Sequence, residues 1–99
     1  MLFRSAIMPA IPTLHESGFP GFEAINWFGL MAPASTPREI VDRLHAETVK
    51  ALQDPDLRQK LSGLGVEIQS STPQEFAALL RNETEKWARV VKASGARTE

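Results

Sequence analysis

Few side chains in this sequence are of a type and spacing that could do chemistry. The two histidines, His15 and His45, have no second His, Cys or acid at a metal-ligand spacing. Asp42 lies one helical turn from His45, but no third ligand accompanies them. Surface or packing roles are the better reading of both. Ser17, Ser35, Ser62, Ser70 and Ser71 fall in turn or cap contexts, and none lies in a Gly-x-Ser-x-Gly elbow. Gly18 and Gly21 lack the strand-before, helix-after setting of a phosphate loop. Two adjacent aromatics, Trp27 and Phe28, could stack on a ligand, although a run this apolar more often supplies core. No nucleophile, base or metal set emerges: catalytic residues none, metal none, cofactors none, and no enzyme is expected.

The elements that would position Trp27 and Phe28 centre on residues 22–39. An apolar run over 24–32 holds Ile25, Trp27, Phe28, Leu30 and Met31, with Asn26 its one clearly polar member. That composition predicts a strand covered on both faces. Pro33 ends it. Thr36, Pro37 and Glu39 then read as N-cap, first helical residue and capping-box partner.

Upstream, Pro9, Pro12 and Pro20 argue against a long helix or central strand over 6–20. Thr13 and Glu16 form a minimal capping box for one short turn of helix, and Pro20-Gly21 is a turn signal. Downstream, a helix over 36–53 follows from Ile40, Val41, Leu44, Thr48, Ala51 and Leu52 at helical spacing. Asp54-Pro55 starts a second helix, over 55–63, with Gly63 and Gly65 at its end. The alternation Val66-Glu67-Ile68 predicts a short strand over 66–69. Thr72-Pro73-Gln74-Glu75 repeats the capping signal and opens a helix over 73–94. Its face carries Phe76, Leu79, Leu80, Trp87, Val90 and Val91. Pairs Arg81–Glu85 and Glu85–Arg89 are four apart on the outer side. Gly95 caps the end, and 96–99 is read as a frayed tail.

Composition sets bounds on function. The chain has 99 residues, 42% hydrophobic and 23% charged, with net charge −1 and no cysteine. Such a balance gives no electrostatic pull toward nucleic acid. Disulfides and thiolate metal sites are excluded, and no apolar run reaches the length of a membrane span. No signal peptide is recognisable. Met1-Leu2-Phe3-Arg4-Ser5 fits poorly with the residues after it and is read as a non-native start.

Many short motifs, in order, carry a family resemblance. They include Pro12-Thr13, Glu16-Ser17-Gly18, Pro20-Gly21-Phe22-Glu23, Trp27-Phe28-Gly29-Leu30, Ala32-Pro33-Ala34 and Thr36-Pro37. Further along come Ile40-Val41, Arg43-Leu44, Ala51-Leu52, Asp54-Pro55, Gly65, Thr72-Pro73, Glu75-Phe76 and Lys86-Trp87. From about Ala6 onward the chain resembles the C-terminal part of the Bug family. These are extracytoplasmic solute receptors, the substrate-binding components of tripartite tricarboxylate transporters.

The resemblance implies an α/β class: the C-terminal part of a two-lobed periplasmic-binding-protein-like fold, with the central buried strand near 22–32, the short strand near 66–69 and the three helices above. It implies a division into 1–5 (non-native start), 6–21 (end of the second lobe), 22–33 (strand returning through the hinge) and 34–99 (helical part of the first lobe). It implies a fragment of a periplasmic receptor whose partners are a small carboxylate ligand and a membrane permease, not nucleic acid. The family's Gly-rich ligand loops, which hold carboxylates by backbone N–H groups and helix N-termini, lie upstream of the matched motifs. Trp27 and Phe28 lie nearest the implied cleft. A strand built for two-sided cover exposes an apolar edge when its neighbours are missing, so the 99-residue chain is expected to self-associate. The alternative is a free-standing helical interaction or dimerisation module without ligand-binding activity.

Overall fold

The computed structural model describes residues 2–98. Expectations that reach Met1 and Glu99 lie outside the described residues. The chain divides into two units, Met1–Thr36 and Pro37–Glu99. The second contains three helices: α1 (Arg38–Ala51), α2 (Pro55–Gly63) and α3 (Pro73–Ser94).

Among the described residues there is no strand and no sheet. The α/β class, the central strand near 22–32, the short strand near 66–69 and the two-lobed α/β architecture are therefore corrected: the ordered elements are helices alone. The physical reason is that a strand exists by pairing. Its N–H and C=O groups need a neighbouring ladder, and neither segment has one. Residues 22–33 run without helix, strand, turn or bend. An apolar run records a demand for apolar surroundings, and it does not bring a hydrogen-bonding neighbour with it. At 66–69 the alternation is real in burial: Val66 and Ile68 are half-buried and Glu67 is exposed.

Helices form here because their signals are local. Asp54 accepts from the Leu57 N–H at 2.9 Å, and Pro55 opens α2. The end of α2 is a Schellman closure: Val66 N–H donates to the Leu61 carbonyl at 3.0 Å and Gly65 N–H to that of Ser62 at 2.9 Å. Gly65 sits at φ +76°, the left-handed region that this closure requires. At α3, Thr72 Oγ1 accepts from the Glu75 N–H at 3.1 Å, and Glu75 Oε2 accepts from the Thr72 N–H at 3.3 Å.

The same quartet behaves differently at Thr36. The helix begins one residue later, with Pro37 itself in the cap position and no side-chain cap bond. Thr36 N–H closes a turn onto the Pro33 carbonyl at 3.0 Å, and the Pro37 carbonyl takes the first helical bonds, from Ile40 and Val41. Pro37 thus holds the cap position, and the Thr36 hydroxyl lies one position short of it.

Packing is thin throughout. No described residue is buried, and no two helices share an extended contact. On α1 the half-buried positions are Val41, His45, Thr48 and Val49, with Leu52 at its C-cap. Ile40 and Leu44, predicted to face inward, are 50% and 55% exposed. The inward stripe is rotated by about one residue because His45 is recruited to it: its Nε2 lies 2.9 Å from the Ser71 carbonyl, tying α1 to the approach to α3. On α3, Trp87 is 38% exposed rather than core. Its indole Nε1 donates to Glu83 Oε2 at 2.6 Å, while Lys86 approaches both the Glu83 carboxylate and the Trp87 ring. Thr84 Oγ1 bonds back to the Leu80 carbonyl at 2.7 Å. The predicted Arg81–Glu85 and Glu85–Arg89 pairs do not form among the described residues; Arg38–Asp42, at 3.0 Å, does.

The two Thr-Pro-x-Glu quartets give a direct comparison. Thr72→Ala removes a formed cap and should cost about 1 kcal/mol of helical stability, whereas Thr36→Ala should cost only a few tenths. Urea unfolding followed by far-UV circular dichroism measures both; equal losses would contradict the cap assignment.

Candidate functional site

An open concave surface lies in the first unit. Its foundation is a single turn. Thr13 and Glu16 make the reciprocal bonds of a capping box: Glu16 N–H to Thr13 Oγ1 at 3.1 Å, and Thr13 N–H to Glu16 Oε2 at 2.9 Å. Ser17 N–H reaches the Thr13 carbonyl at 3.1 Å. This is one turn and no more, so the short helix expected here is a turn. Gly18, at φ +103°, reverses the chain. Next, Phe22 N–H closes onto the Phe19 carbonyl at 3.0 Å across Pro20 and Gly21. Proline at the second position and a positive-φ glycine at the third are the residues of a type II turn. His15 braces this turn: its Nδ1 accepts the Gly21 N–H at 2.7 Å. The Phe19 and Phe22 rings meet edge to face, 6.3 Å apart.

These turns shape an open cleft of about 230 Å³ lined by Phe3, Arg4, Ser5, Met8, Ile11, Pro12, Thr13, Leu14, Phe22 and Ala24. Its walls are mainly apolar. The one cation among its described lining residues is committed: Arg4 Nε donates to Glu16 Oε2 at 2.9 Å and Oε1 at 3.2 Å, and Arg4 also donates to the Pro9 carbonyl at 3.1 Å. The Arg4 guanidinium, aided by the Thr13 N–H, holds the Glu16 carboxyl below the ordinary glutamate range. The cleft therefore presents apolar walls and an internally neutralised ion pair, not a cation for a carboxylate. A reading that sets the first five residues aside as a non-native start cannot find it, because Phe3 and Arg4 supply its wall and its charge.

Trp27 and Phe28, the residues singled out for ligand contact, do not line this cleft. Trp27 is half-buried and engaged; Phe28 is 82% exposed. The structure does not bring the two together around a cavity. His15 and His45 both serve backbone groups, and no group of three or more His, Cys, Asp or Glu that could hold a metal occurs among the described residues. No helix there is long and apolar enough to cross a membrane.

Comparison with known proteins places what geometry alone does not. The model of the tripartite tricarboxylate transporter family receptor, TctC, matches residues 3–96. The chain belongs to this family, a family of solute-binding transport receptors. Among curated relatives it is 41% identical, over 91 residues, to the UPF0065 protein in the tcbD-tcbE intergenic region of Pseudomonas sp. (strain P51), covering 91% of this chain and 27% of that protein. It is 34% identical to protein BugT of Bordetella pertussis, covering 95% of this chain and 29% of BugT. The UPF0065 protein in the clcB-clcD intergenic region of Pseudomonas knackmussii is 33% identical, with coverage of 85% and 50%. The chain thus spans between 27% and 50% of the length of these relatives. No solved structure gives a significant match.

The Arg4–Glu16 pair predicts a pH dependence confined to the first unit. A carboxyl whose folded-state pKa is depressed stabilises the fold above its unfolded pKa, and that contribution disappears as pH falls through the folded value. In a carboxyl-resolved NMR titration, Glu16 should titrate below the ordinary glutamate value of 4.5. Arg4→Ala should move the midpoint back up; an unchanged midpoint would show that Arg4 is not its cause.

Proposed function

We propose that this chain is one portion of a periplasmic receptor that captures a small carboxylate and delivers it to the membrane permease of a tripartite tricarboxylate transporter. The observation that carries this reading is the family match across 94 positions, 3–96. Two others support it. The matched relatives are about two to four times longer than the stretch they share with this chain. The chain also leaves its large apolar side chains at a water-facing surface, with none of the described ones buried. Apolar faces of this extent are the surfaces that a larger body covers.

In this reading the chain contributes structure to the receptor more than ligand chemistry. Its cleft offers no unpaired cation, and anionic ligands are held well by converging N–H groups at helix N-termini. In α3 the Thr72–Glu75 box already takes two of those groups, the Thr72 and Glu75 N–H. Trp27 and Phe28 are the aromatic contacts that this portion supplies to the ligand's carbon skeleton.

A thermal-shift panel of mono-, di- and tricarboxylates tests the assignment. The receptor comprising this chain and its upstream sequence should be stabilised by at least one acid, and the 99-residue chain alone by none. Phe28→Ala in the longer receptor should weaken that acid's binding about tenfold, the loss of a desolvated aromatic contact. Stabilisation by none of the acids in the longer protein would overturn the carboxylate reading.

A further inference from the structure

Exposed apolar surface is unevenly divided along this chain. Of the 19 large hydrophobic side chains that face water, 12 lie between Leu2 and Met31 and only 7 in the helical unit. Those of the helical unit are divided among α1, α3 and the turn after α2. Those near the end of the first unit are concentrated: Phe19 at 58%, Phe22 at 45%, Ile25 at 38%, Phe28 at 82%, Leu30 at 79% and Met31 at 69% exposed. Taking about 200 Å² for each fully exposed large residue, these six present roughly 700 Å² to water. One side of a standard protein–protein interface buries about 800 Å². Within thirteen residues the chain therefore carries close to one partner's share of a stable interface.

The total surface says the same. Two separate compact bodies of the sizes of the two units would expose about 6,700 Å² together; the chain exposes 8583 Å². The excess is large enough for one such interface.

From these areas we infer that the stretch from Phe19 to Met31 is a self-association surface, and that its occupant is a second copy of this chain. Charge selects that occupant. Glu23 is the one ionisable residue between Phe19 and Pro37. A surface with no charge pattern has nothing to match against a differently charged partner, whereas two identical apolar strips meet without like-charge repulsion beyond a single carboxylate each. Residues 22 to 33 belong to no helix, strand or turn, so a second copy can lie along them without first unfolding an element. The inference concerns the 99-residue chain by itself and does not depend on the carboxylate reading above.

Sedimentation velocity from low to high micromolar concentration, without any carboxylate, tests it. The unaltered chain should show concentration-dependent association. The double variant Leu30→Asp, Met31→Asp should weaken it by at least about tenfold, as expected for charge placed within an apolar interface. Leu64→Asp, an equally exposed position after α2, should leave it unchanged. Because residues 30 and 31 belong to no helix, far-UV circular dichroism should be the same for all three proteins. The inference is overturned by a chain that stays monomeric at high micromolar concentration. It is equally overturned by association that the double variant retains, or that Leu64→Asp weakens as much.

Discussion

An apolar side chain stabilises a fold only by leaving water, and in this chain that transfer is largely incomplete. Val41, Leu52, Leu57, Leu61, Val66, Ile68 and Phe76 reach half-burial, and no described residue goes further. The rest of the structure reflects that shortfall. Helices survive because their hydrogen bonds close within a turn and their ends are capped. Strands do not, because their bonds need neighbours that the chain does not contain. Among the described residues the N-terminal unit keeps its form through turns and the Arg4–Glu16 ion pair, not through a core. What holds each part is local.

Legibility in the sequence divides along the same line. Asp54-Pro55 and Thr72-Pro73 through Glu75 predict starts that appear at those residues, and Gly65 and Gly95 predict ends that appear with positive φ. Each signal acts within a few residues, so nothing distant could override it. Thr36 shows how narrow the margin is. The same Thr-Pro-x-Glu quartet forms no cap there: Pro37 takes the cap position and no side-chain cap bond is made. His45 shows another limit: spacing tests a helical histidine only against nearby ligands, yet its acceptor, Ser71, lies 26 residues away. The run over 24–32 is legible as apolar and illegible as structure, since composition reports the environment a segment suits and not the partner that supplies it.

The candidate site divides in the same way. The turns that build the N-terminal cleft are readable from Thr13, Glu16 and Pro20-Gly21. Its wall and its charge are not, because Phe3 and Arg4 fall in the stretch that the sequence alone suggests setting aside. Trp27 and Phe28 stand out for chemistry they could do, and they differ in environment. One is half-buried and the other almost bare. Membership of the tripartite tricarboxylate transporter receptor family is legible in the order of many weak motifs, none of which does chemistry alone.

The central claim is that this chain folds while burying too little surface. The denaturant dependence of unfolding reads that quantity directly, since its slope scales with the surface newly exposed. Urea unfolding at a concentration where the chain is monomeric should give a slope below about 1 kcal/mol/M, the lower end for small proteins. A slope well inside the ordinary range of about 1–3 kcal/mol/M would mean that the monomer has a core, and the account would be wrong.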